Sequence, residues 1–129
     1  MKRKMLIFAA ISGLLAVIVG AFGAHALKKI VAPEMLAVWQ TGVQYQFYHT
    51  LALLLLSALN GIKSTYVNLS YKFFVVGIIL FSGSLYLLAL KEYLELPWLR
   101  FLGPVTPIGG LFFIVGWASL FIGAIKSDK

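Results

Sequence analysis

The sequence predicts an all-α membrane protein, a bundle of four transmembrane helices whose N and C termini lie in the cytoplasm. Three observations lead to this class. The chain of 129 residues is 61% hydrophobic and 12% charged, whereas soluble proteins carry about 25% charged residues. Four apolar segments are each long enough to cross about 30 Å of hydrocarbon as a helix. The basic residues behind the net charge of +7 flank these segments, which indicates contact with lipid headgroups and not with nucleic acid.

The predicted spans belong to one domain, residues 1–129, and helices are expected because the bilayer core offers no partners to backbone polar groups. The spans are residues 5–27, 43–62, 73–90 and 106–125. In the connections, PEMLAVWQ predicts a short interfacial helix before the second span, and residues 61–72 predict a polar loop. Thr106 and Pro107 are typical of a first helical turn, in which threonine caps free N–H groups.

The first span allows two interpretations. The basic start MKRK, the apolar run and Ala24-His25-Ala26 are the parts of a secretory signal peptide, and equally those of a first helix that is retained. Small residues run along one face of this segment from Ala9 to Gly23, and such a face favours a retained helix that packs on its neighbours.

Charge asymmetry predicts the orientation. Four spans put both termini and the central loop on one side, and this side carries seven of the 11 basic residues: Lys2, Arg3, Lys4, Lys63, Lys72, Lys126 and Lys129. The opposite side carries the other four: Lys28, Lys29, Lys91 and Arg100. Because short loops rich in Lys and Arg stay in the cytoplasm, we expect cytoplasmic termini.

Two stripes of small residues predict where the helices pack. They consist of Gly13, Gly20 and Gly23 in the first span and Gly109, Gly116 and Gly123 in the fourth. Helices in lipid associate through faces that allow close approach, so we expect both stripes to form packed seams. A dimerisation face or a narrow passage is the alternative.

The chemistry of the chain is confined to a few polar groups. No Asp, Glu, Lys or Arg lies inside a predicted span core, which argues against steep proton coupling. The polar residues expected to converge in the outer half of the membrane are His25, Tyr45, Gln46, His49, Ser82, Tyr86 and Thr106. They either hold the helices in register through hydrogen bonds or form a pocket for a small molecule or a lipid headgroup.

We expect no cofactor, no metal ion and no catalytic residue. The chain has no cysteine, and its two histidines without a nearby carboxylate make an incomplete ligand set for zinc. Their spacing does not ensure that both face one haem. The sequence contains neither a Gly-x-Ser-x-Gly elbow nor a phosphate-binding loop, so we expect no enzymatic activity.

Four motifs carry a resemblance to a known family. GAFGAHAL, WQTGVQYQFYH, FSGSLY and GPVTPIGG, followed by the tryptophan of VGW, are similar in order and spacing to the YgdD/YwdK-type small membrane proteins, domain-of-unknown-function family 423. The resemblance implies a four-helix protein of the bacterial cytoplasmic membrane whose first helix is retained. It implies no particular reaction. The segment KEYLELPWLR, before GPVTPIGG, is longer than the corresponding segment in some members of that family.

The sequence therefore predicts a non-enzymatic membrane module that binds a lipid or a partner protein through an outward-facing polar cluster. The alternative is a small transporter or channel for an uncharged or weakly charged solute that works as a homo-oligomer. The expected partners are the lipid bilayer and either a second copy of the chain or another membrane protein.

Overall fold

The computed structural model describes residues 2–127, and within them the chain forms five α-helices and no strand. The helices are α1 (Lys2–His25), α2 (Pro33–Ala58), α3 (Ser64–Gly77), α4 (Gly83–Leu90) and α5 (Val105–Lys126). A π-helical turn, Ile78–Ser82, joins α3 and α4 into one rod. Short 3-10 helices at Leu27–Lys29 and Pro97–Leu102 lie in the connections. Lys129, part of the predicted charge bias, lies outside the described residues.

Three helical segments are long and apolar enough to cross a membrane: Lys2–Lys29, Ser64–Leu90 and Pro97–Lys126. Helix α2 has 26 residues and is therefore roughly 39 Å long at about 1.5 Å per residue. Its length matches the other three, but the segment TGVQYQFYH makes its first half polar. What this half faces therefore decides how α2 is stabilised.

Helix α1 packs on α2 through one face and leaves the other exposed. The buried residues recur every three or four positions, as one face of a helix requires: Met5, Ala9, Ser12, Ala16 and Gly23. Leu14, Val17 and Ile18 on the other side are each more than half exposed, as lipid-facing residues are. Helix α5 packs in the same way on α3 and the π turn, so α2 and the rod lie between α1 and α5.

The glycine stripes lie at these two seams. On α5, a Cβ added to Gly116 would lie 2.6 Å from the Phe74 ring, and one added to Gly123 would lie 2.6 Å from Tyr66 Cβ. On α1, Gly23 lies under the ring of Trp39 at 2.7 Å by the same measure. A Cβ added to Gly13 would lie 3.5 Å from Thr50 Cγ2, and one added to Gly20 would lie 3.4 Å from Val43 Cγ1. Both distances are ordinary van der Waals contacts. At Gly23 and Gly116 the close approach therefore involves an aromatic ring seated on a glycine.

The apolar core lies where α1, α2, α3 and α5 meet. Its fully buried side chains are Met5, Leu53, Leu56 and Phe74, and Phe113 of α5 closes it. A smaller core at the other end of the bundle contains Leu27, Trp39 and Ala89. Both ends of the bundle are thus held by side-chain packing between helices from different parts of the chain.

The helix bounds correct two expectations. PEMLAVWQ does not form a separate interfacial helix but is continuous with α2, because Trp39 is buried and its Nε1–H donates to the carbonyl oxygen of Val19, 2.9 Å away. Residues 61–72 are not a loop, since α3 begins at Ser64. The polar residues of that segment point partly into the protein: Ser70 is fully buried and donates a hydrogen bond of 2.8 Å to the carbonyl oxygen of Gly116.

The start of α5 also differs from the expected cap. The helix begins at Val105, after Pro104, without a side-chain cap. The hydroxyl group of Thr106 lies 2.6 Å from that of Ser84 and joins α5 to α4. A tertiary hydrogen bond has therefore replaced the local cap that the sequence pattern predicts.

Candidate functional site

The polar half of α2 divides between two neighbours. At about 100° per residue, Gln46 and His49 are separated by roughly 60° around the helix. This angle is enough for Gln46 to face α1 and α4 while His49 faces α5. The single polar cluster expected from the sequence is therefore two clusters, one on each side of α2.

The first cluster is a network that links three helices through Gln46. Its Nε2 donates to the carbonyl oxygen of Ser12 at 2.9 Å, and its Oε1 accepts a hydrogen bond of 2.6 Å from the Tyr86 hydroxyl. The hydroxyl groups of Ser12 and Thr50 lie 2.7 Å apart beside it. Ser82 donates to the carbonyl oxygen of Gly42 at 2.7 Å. Both ends of the Gln46 carboxamide thus have partners within the protein, so the network holds α1, α2 and α4 in register.

His49 is the centre of the second cluster. The imidazole is buried, with Nδ1 2.8 Å from the carbonyl oxygen of Tyr45 and Nε2 3.0 Å from the indole nitrogen of Trp117. A carbonyl oxygen only accepts and an indole N–H only donates. Together the two partners assign the neutral tautomer, in which Nδ1 carries the proton and Nε2 accepts from Trp117.

Aromatic rings enclose this histidine. The ring of Phe113 stacks on the imidazole with a centroid separation of 3.6 Å and an angle of 8° between planes. Phe74 meets it edge-on at 5.2 Å, and Tyr45 packs on Phe81 at 4.5 Å. Sequence reasoning did not select Phe113 or Trp117 as site residues. The available signals were their spacing of four residues on α5, which in an apolar span usually indicates packing, and the place of Trp117 in the VGW motif.

His25 does not join either cluster. It is exposed at the end of α1, two residues beyond Gly23, which lies against Trp39. His49 precedes Thr50, which lies against Gly13. The helix from Gly13 to His25 is roughly 18 Å long at about 1.5 Å per residue. The two histidines thus lie at different depths, and His49 lies near the middle of the bundle instead of the outer half.

A groove of about 660 Å³ lies beside His49, between α2 and α5. Its walls are formed mainly by Tyr45, Phe81, Phe113 and Trp117, with Gly110 on the α5 side. None of its lining residues, all of which belong to the described part of the chain, carries a formal charge. Tyr45 is 38% exposed and Trp117 45% exposed, so the groove opens on the surface that would face lipid.

The π turn shapes one wall of this groove. Within it the N–H of Gly83 donates to the carbonyl oxygen of Ile78, five residues earlier, and the turn sets Phe81 against α5. A Cβ on Gly109 would lie 2.4 Å from the backbone nitrogen of Phe81, so only glycine permits this approach. Single π turns inside α-helices frequently occur at functional sites. The groove wall therefore depends on a local irregularity that a straight helix would not provide.

Comparisons with known proteins place the chain among uncharacterised membrane proteins. A family model described as a protein of unknown function (DUF423) matches residues 19–110. The UPF0382 inner membrane protein YgdD of Escherichia coli K12 is 47% identical over 129 residues, covering 99% of this chain and 94% of YgdD. The UPF0382 membrane protein SSP2132 of Staphylococcus saprophyticus is 43% identical over 124 residues, covering 96% and 98%. No solved structure matches.

Proposed function

The chain belongs to the DUF423 family, as its motifs suggested, and from this premise we propose that it is a membrane module that binds an acyl chain of a bilayer lipid in the groove between α2 and α5. Its relatives are bacterial membrane and inner membrane proteins, and it is a multi-pass protein of the same membrane. In this proposal the module spans the bilayer four times, has both termini in the cytoplasm and has no enzymatic activity of its own.

The observation that carries the proposal is the uncharged aromatic groove that opens toward lipid. Its volume of about 660 Å³ lies within the range of about 300–1,000 Å³ that is typical of small-molecule sites. Ile114 on its rim is 65% exposed, so the groove is continuous with the apolar surface of α5. A hydrocarbon chain fits such walls because they are mainly aromatic and apolar.

The polar groups near the groove support a lipid over a polar solute. Both nitrogen atoms of His49, which lines the groove, already have partners in Tyr45 and Trp117. A polar solute could bond His49 only by displacing one of these hydrogen bonds. An acyl chain needs none of them, because its binding depends on contact with apolar and aromatic surface.

Two observations support the four-span topology. Helices α1 and α2 are in contact along most of their length, since Gly13 lies against Thr50 and Gly23 lies against Trp39. The two helices therefore occupy the same depth. The ammonium group of Lys2 donates to Asn60 Oδ1 at 2.8 Å, so the start of α1 lies beside the α2–α3 connection.

The topology has a direct test in this cysteine-free chain. Single cysteines are introduced as Ser64→Cys and Glu95→Cys and treated with an impermeant thiol reagent in intact cells. We expect the second to react and the first to be shielded until the membrane is permeabilised. The reverse pattern would refute cytoplasmic termini.

The groove is tested with a phospholipid whose acyl chain carries a photoactivatable group, in nanodiscs with the purified protein. We expect cross-links on groove residues, mapped by mass spectrometry. Gly110→Leu should remove most of this labelling, because Gly110 lines the groove and a Cβ there meets only the Phe81 ring, at 3.8 Å, so the added side chain occupies the groove. Ala118→Leu is the control, since it also introduces a leucine, but on exposed α5 surface outside the groove. Equal labelling of the wild type and both variants would refute the proposal.

Reconstitution also tests the alternative of an oligomeric transporter or channel. The proposed module predicts no flux of small uncharged solutes in proteoliposomes at any protein density. Solute flux that is lost in His49→Ala would favour transport and contradict the module.

A further inference from the structure

Two glutamines of α2 point away from the rest of the bundle. Gln40 and Gln44 are one helical turn apart, and both side chains are exposed. Within residues 2–127 neither side chain makes a hydrogen bond. Gln46, two residues further along the same helix, is 5% exposed and has partners at both ends of its carboxamide. The same residue type thus occurs on this helix once with its hydrogen bonds satisfied and twice without.

The depth of Gln44 follows from its position relative to α1. The neighbouring Val43 contacts Gly20, and the helical path from Gly20 to Lys28, the first basic residue after α1, is roughly 12 Å at about 1.5 Å per residue. If Lys28 is at the headgroups, the Gln44 carboxamide is within the hydrocarbon layer. An amide there without a partner is unfavourable because lipid supplies neither donors nor acceptors.

The surface around these glutamines is shaped for close approach by another helix. A concavity of about 370 Å³ lies between α1 and α2, with Gly20 and Ala24 on one side and Gln40 and Gln44 on the other. Small residues beside a hydrogen-bonding side chain are the usual elements of a helix–helix interface in membranes. The unpaired amides thus line a concavity whose α1 side consists of small residues.

We propose that this face is the interface of a homodimer whose occupant is a second copy of the chain. A carboxamide carries a donor and an acceptor, so it is complementary to itself. A two-fold axis along the membrane normal brings Gln44 of each copy to the same depth, where each donates to the other. A lipid tail would leave both amides unpaired. The inference goes beyond the acyl-chain groove, which lies on the His49 side of α2 and stays open in such a dimer.

Disulfide formation in native membranes tests the interface, because the wild-type chain has no cysteine. A disulfide requires Cβ atoms about 3.5–4.5 Å apart, so equivalent residues cross-link only near a two-fold axis. We expect covalent dimers from Gln40→Cys or Gln44→Cys under mild oxidation. Ile11→Cys and Phe121→Cys, on the exposed faces of α1 and α5, should stay monomeric. Dimers only from the α1 or α5 positions would overturn the proposal.

A second measurement separates the hydrogen bond from mere proximity. The monomer–dimer equilibrium is followed in detergent or nanodiscs for wild type, Gln44→Leu and Gln44→Asn. Since Gln44 is exposed, the leucine variant keeps its fold and is expected to lose at least about tenfold in association constant, or about 1.4 kcal/mol. Gln44→Asn should lose less of the association constant than Gln44→Leu, because asparagine keeps a carboxamide. Phe121→Leu is the matched control. A monomeric wild type, or an unchanged Gln44→Leu, would overturn the proposal, while acyl-chain labelling of the groove would be unaffected.

Discussion

Two adjacent glycines of α5 differ sharply in how much space surrounds them, which makes them a matched pair for testing the close contact with the π turn. A Cβ at Gly109 would lie 2.4 Å from the backbone nitrogen of Phe81 and 2.8 Å from its Cα. A Cβ at Gly110 would meet only the Phe81 ring, at 3.8 Å. We therefore predict that Gly109→Ala destabilises the protein relative to Gly110→Ala.

The expected difference in unfolding free energy depends on which contributions the two substitutions share. Both substitutions gain the same intrinsic helix propensity, up to about 1 kcal/mol, so this term cancels in the difference. Only Gly109→Ala adds overpacking, which costs about 1–3 kcal/mol in a well-packed interior. The contact is with backbone, which cannot move aside as a flexible side chain does. We thus expect the free energy of unfolding of Gly109→Ala to be lower than that of Gly110→Ala by about 1–3 kcal/mol.

The assay is reversible unfolding in mixed micelles at increasing sodium dodecyl sulfate, followed by far-ultraviolet circular dichroism, with both variants under identical conditions. A second readout is acyl-chain labelling of the folded protein. Phe81 forms a wall of the groove, so displacing it should reduce labelling in Gly109→Ala. Equal stability of the two variants, or a more stable Gly109→Ala, would refute the close approach of α5 to the π turn.

Three further predictions use the same unfolding measurement. Trp117→Phe leaves Nε2 of the buried His49 without its donor and should cost about 1–3 kcal/mol, whereas an unchanged stability would mean that the hydrogen bond is not formed. A double-mutant cycle with Ser12→Ala and Thr50→Ala should give a coupling of about 0.6–1.7 kcal/mol, and zero coupling would contradict the 2.7 Å contact. Asn68→Leu should stabilise the protein by about 1–3 kcal/mol, because its buried Oδ1 has no partner in the described residues; destabilisation would indicate a partner.

Much of the all-helical architecture could be predicted from spacing alone. The buried face of α1 follows its three- and four-residue repeat, and the glycines of α5 lie on the seam with α3. These features depend on local periodicity, which a sequence displays directly. The confirmed membrane location likewise depends on composition. The number of spans and the orientation of the termini stay predictions.

The arrangement of the site was harder to predict from the sequence, because it depends on which neighbour each side chain contacts. Helical spacing put Gln46 and His49 on one broad face but did not reveal that α4 and α5 divide that face between them. The π turn could not be predicted from the helical period of 3.6 residues. It coincides with contacts made far along the chain, such as Ser82 with the carbonyl oxygen of Gly42. The depth of His25 relative to His49 depended on how α1 pairs with α2.

The helix with the most polar residues is also the helix with the most neighbours, and these two properties explain each other. Alone in lipid, α2 would leave Gln46, His49 and Thr50 without partners, which the bilayer penalises. Against α1, α4 and α5, each of the three gains one. Since α1 precedes α2 and pairs with it along its length, a hairpin of the two already satisfies Thr50 and one end of Gln46. The other end of Gln46, and the Nε2 atom of His49, acquire partners only when the rod and α5 pack against α2. The groove beside His49 therefore depends on the packing of α5, whereas part of the Gln46 network needs only α1 and α2.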